Sequence, residues 1–163
     1  MKKFFVFLLV GLLASSAAWG ATIAITVNAA QKLDVTVDSP TWTIALDNTG
    51  TAVENATQGA LTVKSSKAAY TVTFVSTNSG TLLNGTNTIP YQIKVDTSNW
   101  SSGVATNNLS DYTQLTAAKT IVFQSRTPTV GKTFNIGFKI PAYTEYYVDG
   151  AYTDTITISI AAN

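Results

Sequence analysis

Apolar and polar positions alternate along most of this chain. Ile23, Ile25 and Val27 alternate with Thr22, Ala24 and Thr26, and Leu33, Val35 and Val37 alternate with Lys32, Asp34 and Thr36. After Pro40 come Trp42, Ile44 and Leu46, then short runs at Leu61–Val63, Tyr70–Phe74, Tyr91–Val95 and Ile121–Phe123. Phe134 to Ile140 and Ile156 to Ile160 close the series. A period of two places every second side chain on one face of a strand. The threonines between them suit extended backbone through their branched Cβ. Turn residues punctuate the runs at Asp47-Asn48-Thr49-Gly50, Asn78-Ser79-Gly80, Asn84-Gly85, Ser101-Ser102-Gly103 and Asp149-Gly150. Only Ser110 to Lys119 has a weak helical look. About eight or nine short strands with one apolar face each predict an all-β fold, an antiparallel two-sheet sandwich, with barrel closure as the structural rival.

The first twenty residues read differently. Lys2 and Lys3 precede an apolar run from Phe4 to Ala14, and Ala18 and Gly20 sit at −3 and −1 of a cut before Ala21. This is the pattern of a secretory signal peptide. The run is shorter than the ~20 residues a spanning helix needs, so no membrane span is expected after cleavage. The predicted organisation is a signal peptide over 1–20, an N-terminal extension over 21–31 and one β-sandwich domain over 32–163.

Composition narrows the chemistry. Charged residues are 12% of the chain, about half the usual share. Of ten basic residues, Lys2 and Lys3 fall in the signal, leaving eight against nine acidic ones. That balance, with scattered lysines, argues against a nucleic-acid partner. The chain has no cysteine and no histidine, which excludes disulfides, thiolate chemistry, the usual zinc sites and a His-dependent triad. The acidic residues fall mostly in turns, and no loop has EF-hand spacing. No catalytic residue, metal site or cofactor is expected, and the chain is read as non-enzymatic.

The alternating segment Ala21 to Ala30 has two readings. It could pair at the edge of its own sandwich. It could equally serve as a donor strand, filling a groove in another subunit with Ile23, Ile25 and Val27 as plugs. Burial of three branched side chains contributes about 1.5–3 kcal/mol each, while ordering a flexible arm costs about 1–2 kcal/mol per residue. Donation therefore also requires that the recipient gain by closing an open core.

Two stretches carry a family resemblance. The first runs from Leu82-Leu83-Asn84-Gly85 through Ile89-Pro90-Tyr91-Gln92-Ile93-Lys94-Val95-Asp96. The second is Phe134 to Ile140 ending in Pro141-Ala142, then Asp149-Gly150-Ala151-Tyr152-Thr153-Asp154-Thr155 and the alternating run to Ile160. Together they resemble the spore coat U domain and the pilins of the archaic chaperone–usher pathway. The resemblance implies an incomplete immunoglobulin-like sandwich, completed by a donated strand. It further implies an acceptor groove lined by Ile156, Ile158 and Ile160, a homo-polymer, and a periplasmic chaperone and outer-membrane usher as partners. The chain would pass through the periplasm to the cell surface or a fimbrium. It departs from many relatives in lacking a cysteine pair near the start and an aromatic ending.

Aromatic residues supply an alternative. Tyr143, Tyr146 and Tyr147, with Trp42 and Trp100, could stack on sugar rings or meet a partner. On that reading the chain is a self-complete secreted carbohydrate-binding or adhesive sandwich rather than a fimbrial or surface-coat subunit. Asp154 is expected to bond a loop backbone beside Tyr152.

Overall fold

The computed structural model describes residues 24–163. The expected signal peptide and cleavage site, and the plug residue Ile23, lie outside the described residues. The strands are β1 (Leu33–Val37), β2 (Val53–Ser65), β3 (Tyr70–Ser76), β4 (Thr81–Asn84), β5 (Asn87–Pro90) and β6 (Gln92–Asp96). A 3-10 helix (Ser98–Gly103) leads into β7 (Val104–Asn107), followed by β8 (Lys119–Phe123), β9 (Lys132–Ile140) and β10 (Ile156–Ala162).

They form an all-β sandwich of two antiparallel four-stranded sheets, ordered β1-β2-β9-β6 and β10-β3-β8-β7, with β4-β5 as a separate hairpin. Alternation sets the inner faces. Leu61, Val63, Phe134, Ile136, Phe138, Ile93 and Val95 from the first sheet meet Tyr70, Val72, Phe74, Ile121 and Phe123 from the second, all buried. Aromatic rings carry much of the contact: Tyr70 stacks on Phe123 with centroids 4.8 Å apart, and Tyr91 stacks on Phe138 at 5.5 Å.

The two long sides of the sandwich close differently. On one side the chain passes directly from β6 to β7 through the 3-10 helix. Trp100 stacks there on Phe123 (5.9 Å) and Phe134 (6.3 Å), and the buried Leu109 receives Val95 N–H at 2.7 Å through its carbonyl. On the other side the edge strands β1 and β10 face each other with no ladder between them. Both are held at the β2–β3 turn. Lys32 N–H donates to Ser66 Oγ (2.9 Å), Leu33 pairs with Ser65, and Ala162 pairs with Tyr70. Cα atoms of β1 and β10 come within 8 Å of one another.

Two expectations need correction. The alternation at Trp42–Leu46 does not produce a strand. Trp42, Ile44 and Leu46 are half-buried and Thr41, Thr43 and Ala45 exposed, as a strand would have them, but the segment has no ladder partner among the described residues. Ser110 to Lys119 is not helical; it is an irregular stretch with bends, carrying buried Leu115 and an isolated bridge from Thr113 to Ile93, and it ends at the first residue of β8. The expected turn at Asn84-Gly85 is present, and it joins two strands, β4 and β5, that alternation alone does not reveal.

Candidate functional site

The unclosed side contains a groove with a cavity of about 740 Å³. Val37, Pro40, Trp42, Ile44 and Leu46 form one wall, and Ile156 and Ile158 of β10 form the other. Phe74, Tyr91, Ile136 and Phe138 lie at its floor. Its lining is largely apolar, and its volume lies within the roughly 300–1,000 Å³ range of binding cavities.

Local chemistry explains the first wall. Asp38 Oδ1 accepts Ala60 N–H and Ser39 N–H, both at 2.8 Å, so a carboxylate takes the place of the next ladder carbonyl. Pro40 has no N–H to donate. The chain therefore leaves β2, and the Trp42 ring comes to rest on Gly59, where an added Cβ would approach the indole to 2.8 Å. Trp42 also meets Phe138 edge-on at 6.3 Å and 77°. Gly59 ends an irregularity in the β2–β9 register that starts at Asn55.

The far end is pinned by a side-chain amide. Asn48, at φ 57°, donates from Nδ2 to the Tyr147 carbonyl (2.7 Å), and Tyr147 N–H donates back to Asn48 Oδ1 (3.0 Å). Tyr143 N–H donates to the Gly50 carbonyl at 3.1 Å. The Tyr143 and Tyr147 rings meet at 4.5 Å.

The second wall is fixed by Asp154, just before β10. Its carboxylate accepts from Ser76 Oγ (2.5 Å), Tyr91 Oη (2.6 Å), Asn78 N–H (3.0 Å) and Thr155 N–H (2.7 Å). Asp154 does bond loop backbone, but its chief reach is to two hydroxyls on β3 and at the groove floor. Burial first, and the Asp154 carboxylate second, push the Tyr91 phenol well above its ordinary pKa. No group of three or more potential metal-ligating side chains occurs among the described residues.

The candidate residues are distributed unevenly. Ile156 and Ile158 line the cavity; Ile160 is half-buried beyond it, toward the β2–β3 turn. Among the described residues β10 pairs only with β3, leaving its other edge without a ladder. Residues 24–31 form no strand and are exposed, with Ile25 and Val27 each 83% exposed. Tyr147 lines the groove and Tyr146 is 83% exposed. Trp100 lies near the start of β9, stacked on core rings, whereas Tyr143 follows its end, so the two do not share a face. The groove roles of Asn48 and of the Trp42–Leu46 wall are not visible in sequence. Only the alternation at 42–46 and the turn residues at 47–50 hint at them.

No family model matches this chain, and no curated protein does.

Proposed function

We propose that the chain is a non-enzymatic structural subunit that assembles by strand donation, the extension 21–31 of one copy entering the groove of the next. One observation carries this reading. β10, with one edge unladdered, and segment 41–46, which pairs with no strand among the described residues, border an apolar groove, while Ile25 and Val27 of the alternating arm of the same chain lie exposed.

A strand placed between those edges satisfies backbone groups on both flanks. Ile23, Ile25 and Val27 then enter beside Ile156 and Ile158, with Ile160 lying beyond them toward the β2–β3 turn. Burial of the three contributes roughly 5–9 kcal/mol, and each new ladder bond about 1 kcal/mol net. The recipient gains as well, because the half-buried Trp42, Ile44, Leu46 and β10 isoleucines lose their contact with water. That gain offsets the ordering cost of the arm.

On this reading the fold is an immunoglobulin-like sandwich lacking one strand, in keeping with the resemblance to spore coat U and archaic chaperone–usher pilins. The subunit is secreted, held in the periplasm by a chaperone, passed through an outer-membrane usher, and built into a fimbrium or surface coat. The self-complete sugar-binding alternative has weaker support: the half-buried Trp100 is stacked on core rings, and Tyr143 and Tyr147 pack on each other.

The test uses the chain from Ala21 onward. It should form ladders that survive cold detergent and collapse on boiling. Ile25→Asp with Val27→Asp, at two exposed positions, should remove the ladders without lowering the yield of folded monomer. Ladders that persist in the double variant would refute donation by this arm.

A further inference from the structure

The two outer faces of the sandwich differ in charge. On the β1-β2-β9-β6 sheet the outward positions include Asp34, Glu54, Lys64, Lys94, Asp96 and Lys139. On the other sheet, outward positions follow the register that aligns Val75 with Thr157, Thr73 with Ser159 and Thr71 with Ala161. β8 continues this face with Thr120 and Val122. None of these residues is charged. Val75 is 42% exposed at an outward position where an apolar side chain gains nothing from the core.

The same character extends across the groove. With Ile25 and Val27 turned inward, a donated arm would turn Ala24 and Thr26 outward. The 41–46 segment already exposes Thr41, Thr43 and Ala45. Strand donation would thus widen an uncharged, threonine-rich face from four strands to six. Charge depletion at the centre marks protein interfaces, whereas a sheet face kept only for solvation gains from charges that block association.

We infer that this face is a lateral contact between copies of the chain in neighbouring polymers, each offering the same uncharged sheet. The inference rests in part on the strand-donation reading, because area decides the occupant. Four strands about 4.8 Å apart and roughly 20 Å long offer on the order of 400 Å² per copy. That is half of the ~800 Å² per partner of a standard stable interface. Six strands offer on the order of 600 Å², still short for a lone dimer, but contacts repeated along two polymers act together. Facing copies bury methyl groups and hydroxyls and desolvate no charge, whereas the opposite sheet would bury six.

The chain has no cysteine, so one introduced thiol is unique. Val75→Cys and Ser159→Cys on this face, and Asn135→Cys on the charged face, are each placed in the chain from Ala21 onward and treated with a short bismaleimide. Boiling collapses strand-donated ladders and leaves covalent links. Val75→Cys and Ser159→Cys should cross-link at least tenfold faster than Asn135→Cys, and Thr73→Lys with Thr157→Lys should abolish that advantage while the ladders persist. Equal rates on the two faces overturn the inference. So would retention of the chain on insoluble neutral polysaccharide, lost in the lysine variant and paired with equal rates, which would assign the face to a sugar. Ladders with equal rates leave strand donation standing and remove the lateral contact. Fast cross-linking without ladders does the reverse.

Discussion

The Tyr91 phenol donates to Asp154 Oδ2 at 2.6 Å, joining the floor of the groove to the residue that leads into β10. Ser76 Oγ donates to the same oxygen at 2.5 Å and itself accepts Gly80 N–H at 2.6 Å. One carboxylate thus holds β10, the β3–β4 turn and Tyr91 in a single arrangement. Asp154→Asn keeps the shape but weakens charge-assisted bonds worth roughly 1.5–3 kcal/mol each. The expected loss is about 2 kcal/mol, or a Tm lower by roughly 5–10 °C. An unchanged melting curve would mean that the cluster does not hold β10.

Tyr70 behaves in the opposite way. Its hydroxyl is buried without a hydrogen-bond partner among the described residues, while its ring stacks on Phe123. Removing an unsatisfied buried hydroxyl relieves a desolvation penalty of roughly 1–3 kcal/mol. Tyr70→Phe should therefore raise stability by about 1 kcal/mol, measured as a higher urea midpoint with an unchanged slope.

The same burial sets an alkaline limit. Burial pushes the Tyr70 phenol up to about 12, and burial together with Asp154 raises Tyr91. Below pH 10 both phenols are protonated, folded or unfolded, and their contribution to stability is fully present. As pH rises past 10, the unfolded phenols ionise while the folded ones keep their protons, so the unfolded state is favoured. Urea midpoints should fall steadily from pH 10 toward pH 12, and Tyr70→Phe should make that fall shallower.

Gly59 fixes the position of the Trp42 wall. A methyl group at 59 would press on the indole at 2.8 Å. Gly59→Ala should cost about 1–3 kcal/mol through overpacking and shift tryptophan emission as Trp42 moves. Emission that matches the parent chain would place the indole elsewhere.

Asn48 combines a left-handed backbone with two bonds to Tyr147. Asn48→Ala should lose roughly 1–2 kcal/mol. Asn48→Gly relieves the backbone but not the amide bonds, so its melting temperature should fall between the two.

Sequence reading succeeds where one property decides structure. The alternation in Phe134–Ile140 and Ile156–Ile160 became β9 and β10 because a core face suffices to define a strand's orientation. Trp42–Leu46 shows the limit of that signal. Its period of two correctly marks which side chains turn inward, but periodicity carries no information about hydrogen-bond partners, and none of the described strands pairs with it. The first half of β2 is not legible in the sequence because the irregularity between Asn55 and Gly59 disrupts its alternation. The β4–β5 hairpin, with four residues in each strand, is too short to show a pattern. Asp154 was legible as a bonded carboxylate, but its link to Tyr91 spans 63 positions and exists only once β6 and β10 are in place.

The anchoring of Lys32 on Ser66 roots the arm at the β2–β3 turn, while Asn48 and Tyr147 seal the groove's opposite end. If the proposed strand donation holds, a recipient site and a donor tail on different parts of one body make the contact heterologous. An open filament built that way would be directional, with an unused tail at one terminus and an unfilled slot at the other, and its length would be set by whatever caps the slot.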